Sequence, residues 1–255
     1  MTTSFDLGGK LALVTGSSRG LGRGLALALA DAGARLVIHG RDASALQETA
    51  DAIERNHGTR PELVIFDVTD AAAVEAGIAE LVERVGVPDI LVNNAGLQRR
   101  APFAEFPVAD WDALVAGNLS GVFYVSRFVA PGMVERGSGK IINIASVQSQ
   151  LARQTIAPYG ATKAGVAQLS RGMAADLARH NIQVNTLSPG YFATDMNKAL
   201  VEDPEFTAWL ENRTPARRWG QVEELAGTLI YLASPASDFV SGQNIFVDGG
   251  MTSVV

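Results

Sequence analysis

The chain has 255 residues, 47% of them hydrophobic, with 21 Lys/Arg against 27 Asp/Glu for a net charge of −6, and no cysteine. An acidic balance argues against a nucleic-acid partner, which needs a basic face, and the missing thiols exclude disulfides, cysteine-ligated metals and thiol catalysis. No run of about 18 apolar residues is free of charge and the first ten residues hold no signal-like apolar segment, so a cytoplasmic, single-domain protein without a membrane span is expected.

Leu11–Thr15 reads as the first strand. Thr15-Gly16-Ser17-Ser18-Arg19-Gly20-Leu21-Gly22 follows it, and the Ala/Leu-rich Gly22–Ala32 reads as a helix stopped by Gly33. Glycine lets main chain approach a pyrophosphate, and a helix N-terminus offers unpaired N–H groups at the positive end of its dipole. The spacing Gly-x-x-x-Gly-x-Gly differs from the longer Gly-x-Gly-x-x-Gly fingerprint, and no Walker lysine follows. Gly16, Ser18, Arg19, Gly20, Leu21 and Gly22 are the candidate dinucleotide contacts here.

The second strand, Arg35–His39, ends in His39-Gly40-Arg41 with no acid where a carboxylate would grip the adenosine ribose. Arginine grips phosphate bidentately, so Gly40, Arg41 and Arg19 predict NADP in preference to NAD; Asp42 is expected to cap the next helix. Further along come a strand at Leu63–Phe66 followed by Asp67-Val68, a helix at Ala71–Val85, and a strand at Ile90–Val92 followed by Asn93-Asn94-Ala95-Gly96. A helix at Asp110–Val134, a strand at Lys140–Ile144, a helix at Tyr159–His180 and a strand at Gln183–Leu187 extend the alternation. Residues 195–220 break the rhythm and are expected to form a substrate flap; a helix at Gln221–Leu232 and a strand at Asn244–Val247 close the chain. Apolar strands without polar alternation, separated by helices, imply a doubly wound α/β fold with a seven-stranded parallel sheet covered on both faces. The three histidines, His39, His57 and His180, lack ligand spacing and are expected at the surface; no metal is expected.

Tyr159 and Lys163, four apart, share a helix face, and Pro158 suits a helix start. A phenol with an ordinary pKa of about 10 is a poor proton exchanger near neutrality; a neighbouring ammonium favours its phenolate. Ser146 follows the preceding strand, where its hydroxyl can meet the same reacting oxygen. A phenol, an ammonium and a hydroxyl beside a dinucleotide turn point to hydride exchange between a nicotinamide and a carbonyl or alcohol.

These motifs, over essentially the whole chain, resemble the short-chain dehydrogenase/reductase family. The resemblance implies a Rossmann-like fold and NAD(P) chemistry without a metal. It implies Tyr159 as acid or base, Lys163 lowering its pKa and holding the nicotinamide ribose, Ser146 positioning the substrate, and Asn118 supporting a proton relay. It also implies cofactor contacts at Asp67, Val68, Asn94, Ala95, Gly96, Tyr159, Lys163, Pro189, Gly190, Phe192 and Thr194. Asn93 to Arg100, with Pro102-Phe103, Glu105-Phe106-Pro107, Arg217-Arg218-Trp219-Gly220 and the Ser237-Asp238 to Asp248-Gly249-Gly250 ending, resembles the gluconate 5-dehydrogenase branch. A keto-sugar acid such as 5-keto-gluconate is therefore expected, with Arg100 on the carboxylate and Gln148, Ser146 and Tyr159 on oxygens. Gln98, Arg99 and Gln150 lie nearby; Trp219 and Phe206 are expected in core or flap packing. A 3-oxoacyl thioester or other ketone is the alternative substrate, and a non-catalytic cofactor-binding regulator the alternative class. The family further implies a homotetramer built on the Asp110–Val134 and Tyr159–His180 helices and the last strand.

Overall fold

The structure, a computed structural model, describes residues 5–194 and 197–254. Seven parallel strands, β1 (Leu11–Val14), β2 (Arg35–Gly40), β3 (Glu62–Ile65), β4 (Ile90–Asn93), β5 (Gly139–Ile144), β6 (Ile182–Pro189) and β7 (Asn244–Val247), form one sheet in the order β3-β2-β1-β4-β5-β6-β7. The chain winds outward from β1 to β3, returns to place β4 on the other side of β1, and winds outward again. The reversal leaves a crevice beyond the carboxyl ends of β1 and β4, where open α/β sheets bind ligands.

Successive strand side chains serve opposite faces. Ala12, Val14, Ile38, Ile90, Val92, Ile142 and Ile144 pack with Leu25 and Leu29 of α1 (Gly20–Asp31), Leu46 and Ile53 of α2 (Ala43–His57), and Leu229 and Leu232 near the C-terminal end. Leu11, Leu13, Val37, Leu91, Ile141 and Val184 pack on the other side with α3 (Ala71–Val85) and the helices that follow it. Burial on both faces explains why the strands carry no polar alternation. Buried polar side chains tie β4 to β5: Asn93 Nδ2 donates to Asn143 Oδ1 and Ser126 Oγ, each at 2.8 Å, and Asn143 Nδ2 donates to Ser170 Oγ at 2.8 Å.

The expected Asp110–Val134 helix is α4 (Val108–Val115), one π turn (Ala116–Ser120) and α5 (Gly121–Arg136) without interruption. By length and composition this 29-residue stretch reaches the range of a membrane span. Its apolar content is accounted for by the sheet face it covers, where Val125, Val129 and Met133 are buried, and Arg127 charges its middle. The helix from Tyr159 is α6 (Ala157–Leu177), with Pro158 in its first turn. Within the expected flap, residues 195 and 196 lie outside the described residues; α7 (Lys198–Val201) and α8 (Pro204–Arg213) are helical and residues 214–220 form no helix. Asp203 caps α8 by accepting from the Glu205 and Phe206 amides at 3.0 and 3.1 Å, and Pro204 occupies its first position, where the missing N–H costs nothing. A final helix, α9 (Ala226–Ala233), leads to β7.

Candidate active site

A cleft of about 1110 Å³ opens over the strand ends. At one end the β1–α1 turn is pulled tight against β4. Thr15 Oγ1 accepts from the Asn94 and Ala95 amides, both at 3.0 Å, and Asn94 Nδ2 donates to the Thr15 and Gly16 carbonyls at 3.0 and 3.1 Å. Gly16 has φ +64 and a Cβ there would stand 2.8 Å from Ala95 Cα; at Gly22 it would stand 2.2 Å from the Gly16 carbonyl oxygen. Only glycine lets this turn close. No side chain caps α1 at Arg19, so its first-turn N–H groups face the cleft unpaired, which fits a pyrophosphate.

Arg19 and Arg41 stand at this end with Asp67, whose carboxylate lies 3.6 Å from an Arg41 nitrogen. Asp42 is committed elsewhere: its carboxylate accepts from the Ser44 amide at 2.8 Å at the head of α2. The dinucleotide end thus offers two guanidiniums and keeps the adjacent acid turned to its helix, which suits a 2′-phosphate.

At the other end, Ser146 follows β5 and Tyr159 opens α6. Ser146 and Tyr159 both line the cleft, and the Ser146 hydroxyl oxygen accepts from the Gln148 amide at 3.1 Å. Lys163 is buried and donates from Nζ to the Ile144 carbonyl at 2.8 Å. Its Nζ lies 5.8 Å from the centre of the Tyr159 ring. The lysine was expected to lower the phenol's pKa. Burial instead pushes Tyr159 up to about 12, against the pull of Ser146 and of the Arg100 charge, and pushes Lys163 down to about 8. Asn118 lies behind the cleft in the π turn, fully buried, with Oδ1 accepting from the Leu97 amide at 2.8 Å and Nδ2 donating to the Leu97 carbonyl at 3.0 Å.

Comparison with known proteins accords with this geometry. A family model described as Enoyl-(Acyl carrier protein) reductase matches residues 16–252. The chain is 54% identical over 248 residues to the gluconate 5-dehydrogenase of Gluconobacter oxydans (strain 621H), covering 97% of this chain and 96% of the relative. The chain belongs to the short-chain dehydrogenase/reductase family. This short-chain dehydrogenase/reductase is also 50% identical over 258 residues to the 5-keto-D-gluconate 5-reductase of Escherichia coli (strain K12), at full coverage of both chains. The crystal structure of a gluconate 5-dehydrogenase from Burkholderia cenocepacia J2315, in complex with NADP and tartrate, superposes with a TM-score of 0.96 at 56% identity, over 99% of this chain and 98% of that one.

In this short-chain dehydrogenase/reductase one cleft gathers every residue expected at the cofactor: the turn from Gly16 to Gly22, Gly40 and Arg41, Asp67 and Val68, Asn94 to Gly96, and Pro189, Gly190, Phe192 and Thr194. Ser146, Tyr159, Lys163 and Arg100 line it as well. Gln148 does not; it is buried beside the cleft with Oε1 unpartnered among the described residues. Trp219 is buried with Val147, Leu210 and Met251, and Phe206 packs on that cluster, as expected for flap packing.

His39 corrects the surface expectation. It is 2% exposed, stacked on Phe66 at 4.1 Å between ring centres, and holds the glycine turn. Nδ1 accepts from the Gly16 amide at 3.1 Å and Nε2 lies 3.0 Å from the Phe66 carbonyl. Only a neutral ring protonated on Nε2 satisfies both bonds. Among the described residues no group of three or more His, Asp or Glu stands within reach of a metal ion.

Proposed function

We propose that this enzyme interconverts gluconate and 5-keto-gluconate with NADP(H). The observation that carries the reading is a phenol, Tyr159, that lines one cleft with Ser146, Lys163 and Arg100 and with the uncapped glycine turn. When bound, the nicotinamide cofactor supplies or accepts the hydride. The α1 N-terminus takes its pyrophosphate, Arg19 and Arg41 the 2′-phosphate, and Asp67 and Val68 the adenine. Asn94, Ala95 and Gly96 floor the centre of the site; Pro189, Gly190, Phe192 and Thr194 meet the carboxamide; Lys163 holds the ribose.

Ser146 positions the substrate oxygen, and Tyr159 gives it a proton in reduction and takes one in oxidation. Arg100 pairs with the carboxylate. Asn118, fixed on the Leu97 main chain, keeps the path behind Lys163 ordered. The relatives' names, gluconate 5-dehydrogenase and 5-keto-D-gluconate 5-reductase, and the tartrate held beside NADP in the Burkholderia enzyme support an anionic polyhydroxy substrate. The α7–α8 segment covers the substrate end, and four copies assemble.

A phenol pushed up to about 12 is protonated at neutral pH. Reduction therefore has its proton available, whereas gluconate oxidation needs the phenolate and is expected to rise as pH climbs into the alkaline range. Following nicotinamide absorbance with 5-keto-gluconate and NADPH, and with gluconate and NADP across pH, tests both claims. Tyr159→Phe is expected to keep NADPH affinity within about twofold and to lose at least 100-fold in kcat, the scale of a lost general acid. A variant with most of its turnover refutes the assignment.

A further inference from the structure

The glycine turn is held from both sides of β1. On the β4 side, Asn94 Nδ2 donates to the Gly16 carbonyl at 3.1 Å. On the β2 side, the Gly16 amide donates to Nδ1 of His39, also at 3.1 Å. His39 lines the same cleft as Gly16, Arg19 and Leu21. One residue further along, the Ser17 amide donates to the His39 carbonyl at 2.9 Å. Thr49 Oγ1 of α2 donates to the Ser17 and Ser18 carbonyls at 3.0 and 3.2 Å. These bonds engage the start of the turn and leave the first-turn amides of α1 for a phosphate.

The imidazole that receives Gly16 is itself fixed. Its Nε2 lies 3.0 Å from the Phe66 carbonyl just beyond β3, and its ring packs on the Phe66 ring at 4.1 Å between centres. A carbonyl only accepts, so the proton sits on Nε2 and Nδ1 is left as the acceptor. Gly16, at φ +64, gives up many backbone alternatives when it is fixed. A side chain that fixes it before the cofactor arrives spares that cost on binding.

We infer that His39 is a positioning residue for the cofactor: Nδ1, made an acceptor by the Phe66 carbonyl, preorganises the glycine turn for the pyrophosphate. The inference rests on the NADP(H) reading above and names a β2 side chain that sets the affinity.

The test measures the Kd and KM for NADPH in His39→Asn and His39→Leu, two side chains of the same branching. Asparagine carries Oδ1 as many bonds from Cβ as histidine carries Nδ1, so it can accept from Gly16; leucine cannot. His39→Leu is expected to raise both constants about fivefold or more, the scale of one lost hydrogen bond, while His39→Asn stays within about twofold of wild type. The loss in His39→Leu is expected in KM rather than kcat. Equal losses in the two variants overturn the inference, because they mark the packing of the ring, and so does an unchanged Kd in His39→Leu. Imidazole nitrogen resonances of the wild-type enzyme, assigned by their absence from His39→Asn, test it even if the leucine variant fails to fold. A protonated Nε2 and a bare Nδ1 are expected, and the opposite tautomer overturns the inference. A wild-type enzyme that binds neither NADPH nor NADH defeats the cofactor reading itself, an outcome seen before any variant is made.

Discussion

His39 joins the glycine turn, β2 and the end of β3 through one ring. Besides its two ring contacts, its backbone N–H donates to Ser17 Oγ at 2.9 Å and its carbonyl accepts from the Ser17 amide at 2.9 Å. Burial holds its pKa down at about 4 from an ordinary 6.5; the Phe66 carbonyl and Asp67 favour the charged ring, and Arg41 opposes it. The sign follows. Between pH 6.5 and 4 the unfolded imidazole binds a proton that the folded one refuses, so stability falls as pH falls through that window. The contribution is on the order of 3 kcal/mol at its limit. Urea unfolding across that range is therefore expected to give a shallower pH slope for His39→Gln than for wild type, since the other acid-sensitive groups are common to both; identical slopes would show that the ring is not held neutral. A lone histidine after an apolar run carries no sequence sign of this, because its partners are a glycine amide and a carbonyl from two other segments.

The π turn between α4 and α5 inserts one residue's worth of slack that aims Asn118 at the Leu97 main chain, a use of π turns common at functional sites. Asn118→Ala leaves both Leu97 groups without their partner, at about 1–3 kcal/mol for an unsatisfied buried group. The variant is expected to lose about 2 kcal/mol of unfolding free energy in urea and to lose turnover with it; full stability would mean that water replaces the side chain without cost. Nothing in Ala116–Ser120 announces this turn, since the apolar periodicity runs through it and the sequence predicts one helix. The strands, by contrast, were legible to within one or two residues, because a strand covered on both faces is a short, mostly apolar run. The glycine turn, Ser146, Tyr159 and Lys163 were legible because their chemistry is local in sequence. The helices α7 and α8 were not: Pro204 and Pro215 read as breakers, although Asp203-Pro204 is also a cap followed by a first-turn proline.

Among the large apolar side chains that a single chain leaves exposed, two groups stand on different elements. On the α4–α5 layer Val108, Trp111 and Phe123 are 74%, 43% and 48% exposed, and beside the opposite margin of the sheet Phe239 is wholly exposed. Phe239 lies just before β7, an edge strand whose four residues are all partly exposed; unpaired edges of this kind are normally covered. Isolated exposed apolar residues are ordinary, but patches of large ones mark contacts. Two self-complementary patches on different sides of one chain build a closed tetramer with two kinds of two-fold interface, whereas one patch stops at a dimer. Light scattering on the eluting protein is therefore expected to give the mass of four chains. Phe123→Glu places a charge in one interface and Phe239→Asp in the other, so each variant alone is expected to elute as a dimer, and the double variant as a monomer. A wild-type monomer would reject the assembly, and a tetramer unmoved by both charges would place its interfaces elsewhere on the surface.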